Sequence, residues 1–251
     1  TMIFTLDYLI WRIFFTIPKE EGILSVIFWA ILLIAECVGL LEMAVHFYNM
    51  YDYDRVKLHT PYMKKEDLPE VDVFIPTINE DIKLLEKTLY ACKQMEYPDK
   101  NKVHIYLCDD GNRQEVKELA EKMLIYYVTR SEHKDAKAGN LNYALQKSSS
   151  PYIAVFDADM MPKKKFLMRT IPWFSKEQIG FVQTPQNFYY PDLFQYNLYA
   201  SDHIPNEQDY FYKVVQVAKN KSNSVIFGGS NAVLSRKALE ETGGFVTGVV
   251  T

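Results

Sequence analysis

Cysteine is scarce in this chain: three in 251 residues, Cys37, Cys92 and Cys108. Their spacing fits neither a disulfide framework nor a zinc site. Each stands within an apolar run, where a cysteine serves as a small buried hydrophobe, and a reducing compartment fits. An excess of one charge is missing too. The net charge is −4, the Lys and Arg residues are scattered, and no basic stripe interleaves with aromatics. Nucleic acid is therefore not an expected partner. There is no Gly-x-x-x-x-Gly-Lys-Ser/Thr loop and no Gly-x-Gly-x-x-Gly turn, which counts against nucleoside triphosphate hydrolysis and dinucleotide binding. No internal repeat or low-complexity segment breaks the chain. No basic start with a small-residue cleavage site marks a signal peptide.

What is present begins with a long hydrophobic run. Residues 23–45 are almost wholly apolar, and about 23 residues suffice to span a bilayer. A buried helix of a soluble protein is the competing reading. Glu36 and Glu42 interrupt the run and sit about 120° apart around a helix. At least one must therefore lie near an end or meet a neighbouring helix or watery cavity. Residues 2–17 are apolar and aromatic, broken by Asp7 and Arg12, and read as an interfacial helix or the end of another span. Arg55, Lys57, Lys64 and Lys65 follow the run, which places that side in the cytoplasm. The expected order is a membrane segment at 1–20, a transmembrane helix at 21–48, a polar linker at 49–69 and one domain over 70–251.

That domain alternates strands and helices. Apolar runs at 71–75, 103–108, 125–128, 152–156 and 181–184 read as strands. Amphipathic stretches at 81–94, 115–123, 138–146 and 164–174 lie between them. The series predicts an α/β fold with a doubly wound, mostly parallel sheet. Its ligands belong at the carboxyl ends of the strands.

Polar clusters fall at those ends. After the 152–156 run come Asp157 and Asp159. Residues two apart on an extended chain face the same way, and two adjacent carboxylates call for a shared cation. Magnesium is held in this manner, by one or two carboxylates with substrate phosphates completing its shell. Pro-Thr-Ile-Asn-Glu at 76–80 follows the first strand, and Asp-Asp-Gly at 109–111 follows the second. Each alone is an ordinary turn, with Gly111 expected to supply φ > 0. Ala-Lys-Ala-Gly-Asn at 136–140 opens a helix. A lysine is electrostatically misplaced there, so Lys137 needs an anionic partner, for which phosphate is suitable.

Taken in order, these clusters resemble the processive family 2 glycosyltransferases of the bacterial cellulose synthase type. Pro-Thr-x-Asn-Glu at 76–80, Cys-Asp-Asp-Gly at 108–111, Ala-Lys-Ala-Gly-Asn at 136–140 and Asp-Ala-Asp at 157–159 all match. So do Val-Gln-Thr-Pro at 182–185, Pro-Asn-Glu-Gln-Asp-Tyr-Phe-Tyr at 205–212 and Phe-Gly-Gly-Ser-Asn at 227–231. The resemblance implies a GT-A domain on the cytoplasmic face of a cell membrane. It also implies a UDP-sugar donor, Mg2+ or Mn2+ as cofactor, and inverting transfer, most simply of glucose, to the end of a growing polysaccharide. In its terms Thr77, Asn79, Glu80, Asp109, Asp110 and Gly111 hold the uridine, Lys137 meets the diphosphate, and Asp157 and Asp159 carry the metal. Phe227, Gly229, Ser230 and Asn231 form the loop beneath the acceptor sugar, with residues 185–192 and 205–212 beside it. Partners implied are the lipid bilayer and other synthase subunits.

The match has departures. Gly228 stands where the family usually has Cys, which leaves acceptor and linkage open and keeps UDP-N-acetylglucosamine as an alternative donor. The family's general base is the Asp of a Thr-Glu-Asp motif just after Gly-Gly-Phe. Here Gly243-Gly244-Phe245 leads to Thr251, so that base and the Gln-x-x-Arg-Trp motif are expected beyond it, in a longer enzyme. The stretch given is expected to be inactive alone. A nucleotidyltransferase would also use paired acids and a metal, but needs neither the Gln-Asp-Tyr segment nor a membrane helix. A membrane-tethered, non-catalytic sugar-nucleotide binder is the other alternative.

Overall fold

The computed structural model describes residues 2–248 apart from 52, 54–58, 177 and 201. Arg55 and Lys57 of the basic flank, and Thr251, lie outside the described residues. The chain forms two compact units, Thr1–Val56 with Val217–Ser224, and Lys57–Gln216 with Val225–Thr251.

The first unit is built on helices α1 (Met2–Phe15) and α2 (Ile23–Met50). The best stretch of α2 has a mean hydropathy of 2.5, and none of it is buried in the protein. It is long and apolar enough to cross a membrane. Glu36, the awkward charge on this helix, is met from α1. Tyr8 Oη donates to Glu36 Oε1 at 3.1 Å, and Arg12 Nε lies 3.4 Å from both carboxylate oxygens. About two turns earlier on α2, Trp29 Nε1 donates to Thr16 Oγ1 at 3.1 Å. Because 29 pairs with 16 while 36 pairs with 8 and 12, the two helices run antiparallel. Glu42 is exposed. Cys37 is exposed as well, contrary to the expectation that all three cysteines are buried; the neighbouring Glu36, not Cys37, is on the side of α2 that meets α1. The segment Val217–Ser224 belongs to this unit, and its Lys221 lies 4.2 Å over the Tyr48 ring and donates to the Tyr48 carbonyl at 3.3 Å.

The second unit is a six-stranded sheet covered on both faces. Its strands are β1 (Val71–Thr77), β2 (Val103–Asp109), β3 (Tyr126–Val128), β4 (Tyr152–Val155), β5 (Phe181–Gln183) and β6 (Ala232–Ser235), in the order β3-β2-β1-β4-β6-β5. β1 to β4 pair in parallel, whereas β6 runs antiparallel to both neighbours. The sheet is thus mixed, and β6 is a strand that the sequence reading did not anticipate. Four residues that bury Ala232, Val233 and Leu234 carry no period by which to recognise them.

Alternation sorts the strand side chains between two cores. Val73, Ile75, Leu107 and Phe156 pack with Leu85 and Leu89 of α3 (Ile82–Lys93), Val116 and Leu119 of α4 (Gln114–Lys122), and Leu167 of α6 (Phe166–Thr170). Phe74, Tyr106, Ile153 and Val155 face the other way, onto Leu141 and Ala144 of α5 (Ala136–Gln146). Asp81 caps α3 by accepting from the Lys83 N–H at 2.7 Å, one residue inside the expected start. At the opposite end of the sheet from the polar clusters, buried Asp72 accepts from Ser150 N (2.9 Å), Ser150 Oγ (2.7 Å) and Arg236 Nη2 (2.9 Å). Arg236 belongs to β6's flanking helix, so this knot fixes the late antiparallel strand to the first strand. The remaining helical pieces are α7 (Leu193–Asn197), α8 (Glu207–Asp209), a π-helical stretch at Tyr210–Val215, α9 (Gln216–Lys219) and α10 (Arg236–Glu241).

Candidate active site

The register brings the polar strand ends together. Thr77 pairs with Asp109 across β1 and β2, and the Asp110 N–H donates to the Thr77 carbonyl at 2.8 Å. On the other side of β1, Phe156 N–H donates to the Phe74 carbonyl at 3.0 Å, which carries Asp157 out beside Thr77. A cavity of about 410 Å³ opens there, lined by Thr77, Glu80, Asp110, Lys137, Asp157 and Asp159 among others. Six residues expected from four separate motifs therefore share one cleft. Asn79 and Gly111 are not among its walls, and Asp109 is wholly buried behind it.

Each wall is tied down by bonds that the motif does not advertise. Glu80 folds back into its own loop, accepting from Thr77 Oγ1 (2.6 Å), Ile78 N (2.8 Å) and Asn79 N (3.2 Å). Burial works to raise its pKa, but those donors to the carboxylate together hold it below the ordinary value. Arg113 Nη2 donates to Thr77 Oγ1 at 2.7 Å and Nη1 to the Glu80 carbonyl at 2.6 Å, fastening this loop to β2. The same arginine, through Nε, meets Asp109 Oδ1 at 3.2 Å. Asp109 also accepts from Gly111 N (3.0 Å), Arg113 N (2.7 Å) and Tyr127 Oη (3.0 Å). Its carboxylate is spent on shaping the turn.

Gly111 does not have the positive φ expected of it; Asn112 does, at 49°. Glycine is needed at 111 for space instead, because a Cβ there would fall on the Ile78 carbonyl.

The metal-type pair is held from both sides. Thr88 Oγ1 of α3 donates to the Ala158 carbonyl at 2.7 Å in a fully buried contact, and the Asp157 N–H donates to Ser230 Oγ at 2.9 Å. Asp159 is exposed and makes no hydrogen bond or ion pair with any described residue. Lys137, on the first turn of α5, has found its anion inside the protein: its ammonium pairs with Asp157 and donates to the Gly229 carbonyl at 2.9 Å. Among the described residues, no cluster of three His, Cys, Asp or Glu forms a ready cation cage. Two hard carboxylate donors, one of them unengaged, suit a divalent ion that arrives with a phosphate-bearing ligand.

The loop expected beneath an acceptor lies against this pair. Asn231 N–H donates to the Val155 carbonyl at 2.8 Å, and Ser230 is buried. Gln183, part of the Val-Gln-Thr-Pro motif but given no role by it, shapes the loop: it accepts from Gly228 N at 2.9 Å and donates to the Ser230 carbonyl at 2.9 Å. Phe227 packs on Phe181 and Phe245, at centroid distances of 6.4 and 6.2 Å. A Cβ at Gly228 would stand 2.9 Å from Tyr212 Oη, so the glycine leaves room for that buried ring. Burial, then the nearby Asp157 charge, raise the Tyr212 pKa.

With this geometry in place, the comparisons with known proteins are decisive at the level of family. The model for glycosyl transferase family 2 matches residues 72–243. The chain belongs to that family. It is 36% identical over 255 residues to the UDP-forming cellulose synthase catalytic subunit of Pseudomonas fluorescens SBW25, covering all of this chain and 34% of that protein. It is 41% identical over 184 residues to its counterpart in Xanthomonas axonopodis pv. citri, covering 73% of the chain and 25% of the relative. The chain spans between a quarter and about a third of the length of these relatives. Among solved structures, a mannosyltransferase from Pyrobaculum calidifontis in complex with GDP-mannose and Mn2+ superposes with a TM-score of 0.60. It is 23% identical, over 85% of this chain and 59% of that one. The expected GT-A-type fold, with its mixed sheet, is thereby shown.

Proposed function

We propose that this chain provides the donor site of a membrane-embedded processive β-glycan synthase, which transfers a sugar, glucose in the first instance, from a UDP-sugar to a growing polysaccharide with inversion. The observation that carries the reading is the meeting of Thr77, Glu80, Asp110, Lys137, Asp157 and Asp159 around one cavity. The residues fit a divalent cation: Asp159 and Asp157 would hold Mg2+ or Mn2+, which supplies charge neutralisation at the leaving diphosphate. Residues 77–80 and Asp110 present acceptor atoms suited to the N–H edge of a small pyrimidine. Lys137 exchanges Asp157 for the diphosphate when the donor enters. The loop with Phe227, Gly229, Ser230 and Asn231 then lies beneath the acceptor, whose hydroxyl attacks the anomeric carbon from the face opposite UDP. One glycosidic bond forms as the bond from that carbon to the diphosphate breaks. The proton passes to a general base, expected from the family resemblance just beyond Thr251 and so outside the described residues.

In this reading α2 spans the bilayer and the second unit faces the cytoplasm, with the exposed Lys64 and Lys65 on the positive side. Titration calorimetry of UDP into the full-length chain, with and without Mn2+, tests the donor site. UDP is expected to bind only with metal and to outcompete GDP and ADP. Asp159→Ala should abolish the metal-dependent binding and Asp157→Ala weaken it. Unchanged metal dependence in the Asp159 variant would refute the assignment.

A further inference from the structure

Arg130 follows β3 and does not line the cavity, yet its guanidinium joins the two ends of it. Nε and Nη2 donate to Asp110 Oδ1 and Oδ2, both at 2.7 Å, a two-pronged contact to a carboxylate that does line it. The other prongs leave that carboxylate: Nη1 donates to the Lys134 carbonyl at 2.6 Å and Nη2 to the Ala136 carbonyl at 2.8 Å. Those two carbonyls frame the turn that delivers Lys137 into the cleft. The turn is not self-supporting. Residues 131–134 are exposed, and Asp135 and Ala136 both have left-handed backbones, at φ 61° and 41°, which residues with a Cβ disfavour. Gly139 completes the joint: a Cβ there would fall on the Lys134 carbonyl and crowd the guanidinium. The ion pair itself is dry, with side-chain exposures of 9% and 7%. A buried pair of this kind is weak evidence for a gain in stability. It does fix geometry, and only a planar fork can serve a carboxylate and two carbonyls together.

We infer that Arg130 is a positioning residue of the donor site, holding the base-side carboxylate of Asp110 and the phosphate-side turn of Lys137 at one fixed separation, matched to a nucleoside diphosphate. This rests on the donor-site reading above.

The test is calorimetry on the full-length chain in nanodiscs, titrating UDP or inorganic pyrophosphate in the presence of Mn2+, with folding checked by circular dichroism. Pyrophosphate probes the phosphate side alone. Asp110→Asn should weaken UDP and leave pyrophosphate unchanged. Arg130→Lys keeps the charge and loses the fork; it should weaken both ligands, by roughly tenfold or more, the scale of outer-shell substitutions. Combining it with Asp110→Asn should cost UDP little further, because the aspartate is already adrift. If Arg130→Lys does not fold, Gly139→Ala presses on the same turn without removing the ion pair, and should weaken pyrophosphate. Wild-type affinity for both ligands in a folded Arg130→Lys, or a loss confined to UDP, would overturn the inference. So would unchanged pyrophosphate binding in a folded Gly139→Ala. Wild-type chain that binds neither ligand would overturn the donor-site reading, and this inference with it.

Discussion

Replacing Thr88 by Val tests whether the Asp157–Asp159 turn is held from behind, as its geometry indicates. The two side chains are nearly isosteric, so no cavity opens. What goes is the hydroxyl that donates to the Ala158 carbonyl at 2.7 Å, at a position with no solvent exposure, opposite a residue only 4% exposed. Water cannot replace the donor, and an abandoned buried carbonyl costs about 1–3 kcal/mol. For a domain of this size that is a fall in Tm of about 2–4 °C per kcal/mol. Thr88→Ser is the matched control. It keeps the donor and loses one buried methyl, about 0.8–1.5 kcal/mol. On stability alone the two variants overlap, so ligand binding separates them. Ala158 lies between the two carboxylates, and freeing its peptide loosens both. UDP binding with Mn2+ should therefore fall by roughly tenfold in Thr88→Val and hold in Thr88→Ser. Thermal unfolding in nanodiscs and calorimetry read the two effects. Equal affinity in both variants would show that the hydrogen bond supports the fold without supporting the site.

The Glu80 carboxylate, whose pKa is lowered in the folded protein, contributes stability above the ordinary glutamate range of about 4.3 and loses it as pH falls through the lower folded value. The stability gap between wild type and Glu80→Gln, read from urea midpoints, should thus be widest near neutrality and close in acid; a gap that widens in acid would contradict the loop geometry. Arg236→Ala abandons a carboxylate 1% exposed and should cost about 3–5 kcal/mol; a loss below about 1 kcal/mol in thermal unfolding would mean that water reaches Asp72. The full chain should partition with membranes and resist alkaline carbonate, since none of the apolar stretch of α2 is buried in the protein. A soluble monomer without detergent would overturn the spanning helix.

The parallel half of the sheet was legible because its strands carry no polar side that would need water. Every residue of β1 is buried, and apolar runs of that kind have few alternatives to a covered sheet. Amphipathic helices between them fixed the winding, with ends shifted by a residue or two where a cap such as Asp81 decides the boundary. β6 was not legible. Its four residues are placed only by pairing in reverse with β4 and β5, and both partners lie far back along the chain.

The site shows the same division in sharper form. Motif residues could be read, but most of the residues that aim them could not: Thr88, Arg113 and Arg130 form no pattern, and each acts on a partner brought near by folding. One distinction nevertheless follows residue spacing, although Asp157 to Asp159 lie in the turn after β4 and not on the strand itself. Asp157 and Asp159 are two apart, and both line the cleft. Asp109 and Asp110 are adjacent, and neighbours leaving a strand point to opposite sides. Only one of them can face the cleft. Asp110 does, while Asp109 turns inward to Arg113, Gly111 and Tyr127. The two acidic pairs thus differ in kind: the pair spaced two apart presents two carboxylates to the cleft, and the adjacent pair presents one while burying the other to hold its turn.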